Sequence, residues 1–380
     1  MRWLGFLYLC SLLDRSTGLF IGKADVLPDD ATEEEADDFA NSDNSTDPVT
    51  GLESSQPHLF KREQRWLSQD NAVHELRVIS TPPYMDWSCR TGYEYQAEAG
   101  EDRFIYHIEV EFDGRVEPPL KVPGYDAMPE KYRSAPDSHS TCVADKAMGK
   151  RYGVAKKARL IPVLLPLPTP TQFVDGLKRV RDDIKEDMAK DHPTRYKKSV
   201  VVSSLAYDKI HYNVDESQEP WSSMKSTLSE LFDLGVPVVQ SGGNGLVPNF
   251  YIPGQNLGVS KYPAYFAAED FPIINAGSAS ANGRVIDGAL RGPKITVFAD
   301  AQAITCVGYD TVQTGSSFAA PPVAGGIAVF MSLTEGSFYE RTKGKAGTRA
   351  FVEEVRKFIR EEASYLQHSG ARMFYNLNPE

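Results

Sequence analysis

Six short apolar runs, rich in β-branched residues and interleaved with helical patterns, constrain this chain more than any other feature. They are Phe104–Val110, Leu160–Leu165, Ser199–Leu205, Val236–Gln240, Pro272–Ala276 and Ile295–Ala299. The runs are mostly continuous rather than alternating, as strands covered on both faces require. Between and after them the period changes. Phe173, Leu177, Val180, Ile184 and Met188 recur along one helical face. Met224, Leu228, Leu231 and Phe232 repeat that spacing, and Phe351, Val355, Phe358, Ile359 and Leu366 mark a C-terminal helix. Strands alternating with helices imply right-handed crossovers. The expected fold is α/β: a doubly wound, mainly parallel central sheet with helices on both faces.

A length of 380 residues suits one large domain of this kind with terminal extensions. The first residues combine Arg2 with an apolar run over 3–13 and small residues at Ser16-Thr17-Gly18. That is the pattern of a secretory signal peptide, too short for a membrane span, so an extracellular protein is expected. The net charge of −11 is local, because residues 29–53 hold ten acidic side chains and no Lys or Arg. The remaining body is near neutral and has no basic footprint for nucleic acid. The chain therefore divides into a signal peptide (1–18), an acidic disordered pro-segment or linker (19–75) and a folded domain (76–380). Lys61-Arg62 is a candidate processing site and Asn44-Ser45-Thr46 a glycosylation sequon. Once Cys10 leaves with the signal, Cys89, Cys142 and Cys306 remain, enough for one internal disulfide. No spacing suggests zinc, and no acidic loop suggests calcium, so no cofactor is expected.

Gly315-Ser316-Ser317-Phe318-Ala319-Ala320-Pro321-Pro322-Val323-Ala324-Gly325 carries the chemistry. A loop ends in Gly315 and Ser316, and an Ala-rich helix begins near Ser317. A hydroxyl there faces unsatisfied backbone N–H groups that favour developing negative charge. Ser317 is thus either a simple N-cap or a nucleophile beside part of an oxyanion site. The stretch resembles the nucleophile motif of the subtilisin family, with Ser316 in place of the usual Thr. His139-Ser140-Thr141-Cys142-Val143-Ala144 resembles that family's general-base motif, and Ser241-Gly242-Gly243-Asn244 its oxyanion segment. Pro263–Ala267 and Asn282-Gly283-Arg284 also look like family landmarks. The resemblance spans about residues 100–330 and is strongest to extracellular fungal members, including those resembling proteinase K.

This resemblance implies a serine endopeptidase acting on polypeptides as a monomer, with Ser317 as nucleophile, His139 as base and Asn244 as oxyanion donor. It implies that Ser204-Leu205-Ala206 pairs with the substrate backbone and that Ser241, Gly242 and Gly243 line the facing pocket wall. Ala206 stands where the family has Gly, so the pocket is expected to narrow. The acid departs too. Aligning strands puts Glu109, 30 residues before His139, where the family has Asp, and the following Thr-Gly is replaced by Val110-Glu111. Asp113 and Asp137 are the alternative acids. Cys142 is expected to be a free thiol, as in one branch of the family, with the pairing of Cys89 and Cys306 left open. Glu109, Ser140 and Ala206 all differ from the family and cluster on the site. A second reading follows: a catalytically impaired relative that binds peptides or partner proteins. A third, an α/β-hydrolase, needs a His after Ser317, and only His368 qualifies.

Overall fold

The structure is a computed structural model that describes residues 65–110, 120–121, 139–245, 258–306, 309–367 and 370–379. The signal peptide, the acidic residues to position 64, Asn44, Lys61-Arg62, Asp113, Asp137 and His368 lie outside the described residues. In chain order the elements are β1 (Trp66–Gln69), α1 (His74–Ser80), β2 (Tyr93–Gln96), β3 (Phe104–Glu109), β4 (Leu120–Lys121), α2 (His139–Met148), β5 (Arg159–Leu164) and α3 (Pro170–Met188). There follow β6 (Ser199–Ser203), β7 (Tyr207–Asp208), α4 (Trp221–Asp233), β8 (Val238–Ser241), β9 (Lys261–Tyr262), β10 (Ile274–Ala279) and β11 (Val297–Asp300). The C-terminal part holds α5 (Ala320–Ser332), α6 (Ser337–Thr342), α7 (Arg349–Glu361), β12 (Ser364–Leu366) and β13 (Arg372–Phe374).

Nine strands form one sheet in the order β12-β13-β11-β10-β8-β6-β3-β5-β4. Every neighbouring pair is parallel except the outer β12–β13. The alternation of β3 shows why its sequence is mostly apolar on both faces. Phe104, Tyr106 and Ile108 pack on the side of α3 and α4, while Ile105 packs on the side of α2 and α5. A strand sandwiched in this way has no face to offer to water. The chain turns from one half of the sheet to the other around β3, with β5 on one side and β6 on the other. The carboxyl ends of strands flanking such a switch point are where open α/β sheets hold their sites.

Local chemistry sets the helices. Thr169 caps α3 by accepting from Gln172 N at 3.3 Å, and Pro170 fills the first turn, where its missing N–H costs nothing. Helix α5 is buried along its whole length, which explains its Ala and Gly content. At Gly325 a Cβ would lie 2.4 Å from the Ala147 carbonyl, so the bare backbone lets α5 lie directly against α2. That contact sets the distance between the helix that carries His139 and the helix that follows Ser317.

Two details differ from expectation. Strand β1 and the start of α1 fall within the stretch to 75 that the sequence suggests is a linker. Leu366 is exposed in β12 rather than part of the last helix, which stops at Glu361.

Candidate active site

Glu109 is the last residue of β3 and is 2% exposed. Strand alternation turns it, like Ile105, toward α2. Its Oε2 lies 3.5 Å from His139 Nδ1, at the start of α2. Its Oε1 accepts from Val110 N at 3.2 Å, while Oε2 has no hydrogen-bond partner among the described residues. A buried carboxylate oxygen left in this state is costly, and a protonated imidazole beside it would relieve the cost. The Glu109 side chain thus reaches the imidazole from the end of β3. Ser140 takes helical backbone without positive φ, so the Gly it replaces is not required for conformation here. The imidazole of His139 is 42% exposed, and its ring centre is 5.5 Å from that of Phe318.

His107, two residues before Glu109 on the same face of β3, is fully buried. Burial holds its pKa down to about 4, with His139 pushing the same way and Glu109 opposing. Near neutral pH, Glu109 is therefore flanked by an uncharged imidazole beneath and by His139 above.

Ser317 lies in the 3-10 turn Ser316–Phe318 that leads into α5. Two hydrogen bonds fix this turn. Ser316 N donates to Asn244 Oδ1 at 3.0 Å, and Ser204 Oγ donates to the Ser317 carbonyl at 2.9 Å. The first bond orients the Asn244 amide: with Oδ1 engaged, Nδ2 is the end left to donate. The second ties the turn to the segment after β6. Among the described residues no hydrogen bond joins Ser317 to His139.

The two segments expected to bind substrate are bonded to each other. Ser241 Oγ donates to the Ser204 carbonyl at 3.3 Å, and Gln240 Nε2 to the Leu205 carbonyl at 2.6 Å. Leu205 N donates to Ser203 Oγ at 3.1 Å. Both backbone groups of Leu205 are thus used internally, which leaves Ala206 N–H and the outer carbonyl lone pairs for any added strand. Ala206 is half-buried, and Gly242 and Gly243 are buried beside Ile295 and Leu290.

One expectation is overturned. Cys142 is not free: it is bridged to Cys306, with the Cα atoms 5.1 Å apart. Cys306 therefore does not pair with Cys89. The bridge joins the first turns of α2 to the loop between β11 and Ser317. A second tie was not anticipated at all. Lys146 of α2 pairs with Glu75 of α1 at 2.5 Å, both fully buried. His74, expected before the core, reaches Glu75 at 3.3 Å and Asp300 at the end of β11 at 3.2 Å. Among the described residues no group of three or more His, Cys, Asp or Glu side chains is placed to hold a metal ion. No described helix is long and apolar enough to cross a membrane.

A buried acid, a histidine opening a helix, an oriented Asn amide and a serine turn, all at the carboxyl edge of a parallel sheet, define a subtilisin-type constellation. A profile described as the subtilase family matches residues 121–373, and the chain belongs to that family. It is 33% identical over 104 residues to a subtilisin-like protease of Coccidioides posadasii, a match covering 25% of this chain and 24% of that one. It is 37% identical over 81 residues to subtilisin-like protease 2 of Trichophyton rubrum, covering 20% and 18% of the two chains. The matched stretches are thus a quarter or less of these relatives' lengths. The crystal structure of a cold adapted subtilisin-like serine proteinase superposes with a TM-score of 0.57 at 19% identity, over 81% of this chain and 99% of that one.

Proposed function

We propose that this protein is a serine endopeptidase in which Glu109 serves as the acid. The observation that carries the reading is the approach of a buried Glu109 carboxylate to His139 Nδ1 at 3.5 Å. With Nδ1 facing the carboxylate, Nε2 is the nitrogen that takes a proton from Ser317 Oγ. Ser317 Oγ attacks the scissile carbonyl carbon, and Asn244 Nδ2 with backbone N–H groups at the helix start receives the oxyanion. His139 then gives its proton to the leaving amine as the C–N bond breaks. Water, deprotonated by the same nitrogen, releases the acyl group and restores Ser317. Ser204, Leu205 and Ala206 form one wall of the substrate cleft, and Ser241, Gly242 and Gly243 the other.

The polypeptide is bound as an added strand and cleaved outside the cell. A disulfide between Cys142 and Cys306 suits an oxidising compartment, in keeping with a signal peptide over residues 1–18. Maturation follows cleavage after Arg62.

The test is labelling by a fluorophosphonate probe, alongside Ser317→Ala, from pH 5 to 10. Ser317-dependent labelling together with hydrolysis of peptide substrates is the expected result. A chain that binds peptides but never labels at Ser317 is a non-catalytic relative, and the proposal fails.

A further inference from the structure

Lys261 opens β9, whose short antiparallel pairing with β7 sets Lys261 opposite Asp208 and Tyr262 opposite Tyr207. Strand β7 starts directly after Ser204-Leu205-Ala206, one wall of the cleft. The Lys261 side chain extends toward the other wall. Its Cδ lies 3.2 Å, and its Cγ 3.5 Å, from the point a Cβ on Gly243 would occupy. Gly243 has φ +89°, so glycine suits the conformation as well as the contact. The next residue is Asn244. The Lys261 stem is therefore laid across the pocket wall one residue from the oxyanion donor, with its ammonium two bonds beyond Cδ.

That ammonium has no ion pair, hydrogen bond or ring contact among the described residues. The nearby carboxylates do not pair with it: Asp208 turns Oδ1 to Ile210 N and His211 N at 2.9 and 3.1 Å, and Glu216 holds Tyr262 Oη at 2.7 Å and Lys225 at 3.3 Å. Other nearby lysines have partners: Lys294 donates to the Tyr265 and Ala267 carbonyls, and Lys209 sits over the Tyr265 ring. Between Gly245 and Lys261 the sequence contains no Asp or Glu. The half-buried Lys261, set beside Leu290 and bare glycine backbone, favours an anion in the space it borders.

The geometry points to Lys261 as the specificity-determining residue of the cleft, selecting polypeptides with Glu or Asp immediately before the scissile bond. This rests on the cleft assigned above. A carboxylate side chain entering between Ala206 and Gly243 meets the ammonium, whereas a Lys or Arg side chain meets like charge. An aromatic ring would leave the cation desolvated and unpaired, and the methyl of Ala206 narrows the space for it. A charge-assisted contact of this kind is worth about 10- to 100-fold in discrimination.

Two measurements test it. In the first, kcat/KM is compared for succinyl-Ala-Ala-Pro-X p-nitroanilides with X as Glu, Phe or Lys. The expected order places Glu first by tenfold or more. Lys261→Met abolishes the Glu preference, Lys261→Arg keeps it, and 1 M salt reduces it in the native chain. In the second, the Ser317→Ala chain is titrated with dansyl-labelled peptides that end in the same residues, which reads the pocket without chemistry. If Ser317 fails to label yet the Glu peptide binds best and Lys261→Met removes that advantage, the catalytic reading is lost and this one stands. If the native chain prefers Phe or Lys, if Lys261→Met leaves the Glu preference intact, or if none of the peptides binds or is cleaved, the inference is wrong.

Discussion

Replacing Glu109 by Asp supplies the acid that the family resemblance implies, yet the geometry calls for a slower enzyme if Glu109 serves as proposed. The Oε2–Nδ1 distance is 3.5 Å, and β3 is locked between β5 and β6 along its length. The backbone is thus not free to follow a shorter side chain. Removing one methylene withdraws the carboxylate by about 1.5 Å. At an effective dielectric of about 20, the attraction to an imidazolium falls from about 5 to about 3 kcal/mol. Because His139 is 42% exposed, solvent screens part of this, and a net loss of about 1 kcal/mol is the figure to use. That is about a fivefold loss in kcat/KM for Glu109→Asp. Glu109→Gln, which keeps the length but removes the charge, is expected to cost about 1,000- to 10,000-fold. The assay is peptide p-nitroanilide hydrolysis under kcat/KM conditions, with the second-order rate of fluorophosphonate labelling as a parallel readout. An Asp variant as fast as the native chain would refute the idea that reach sets the residue. A Gln variant with unchanged activity would remove Glu109 from the mechanism.

Other consequences concern stability. Opening the Cys142–Cys306 bridge, which closes a separation of 164 residues, is expected to cost about 2–5 kcal/mol, read as a lower urea midpoint for the Cys142→Ser/Cys306→Ser chain. Equal midpoints would show that the bridge constrains nothing. His107 takes up its proton near 6.5 when unfolded but only near about 4 when folded. Between those values the unfolded chain binds more protons, so stability rises with pH across the window and is lost on acidification, by about 3 kcal/mol at its foot. His107→Val should flatten that part of the stability profile. Glu75→Gln leaves Lys146 buried without its counter-charge and is expected to cost about 3–5 kcal/mol in urea unfolding. The paired Glu75→Leu/Lys146→Met change should recover much of that.

The parts of this molecule legible in sequence are those set by contiguous residues. Strands β3, β5, β6, β8, β10 and β11 could be read because burial on both faces favours mostly apolar side chains, and their observed ends shift by no more than three residues. The ends move because backbone pairing, not side-chain character, stops a strand. His139, Asn244 and Ser317 stand out for a similar reason, since each stands in a short motif whose neighbours shape the local turn. Leu366 was misplaced because a helical period runs on past Ala363, while the break depends on β12 finding β13, with Tyr365 opposite Met373. The Cys142–Cys306 bridge was missed on the same principle: it depends on where the loop after β11 returns, far from α2 in sequence. Lys261 carried no local signal either, because its importance comes from bridging two cleft walls that only the fold brings together. Glu109 lies between these cases. Strand parity is readable, and it places position 109 on the same face as Ile105, toward α2. Whether a carboxylate there touches the imidazole depends on how far β3 stops short of α2, a distance that no local pattern encodes. A tighter stop would suit Asp; at 3.5 Å from a Glu tip, the longer side chain is what closes the gap.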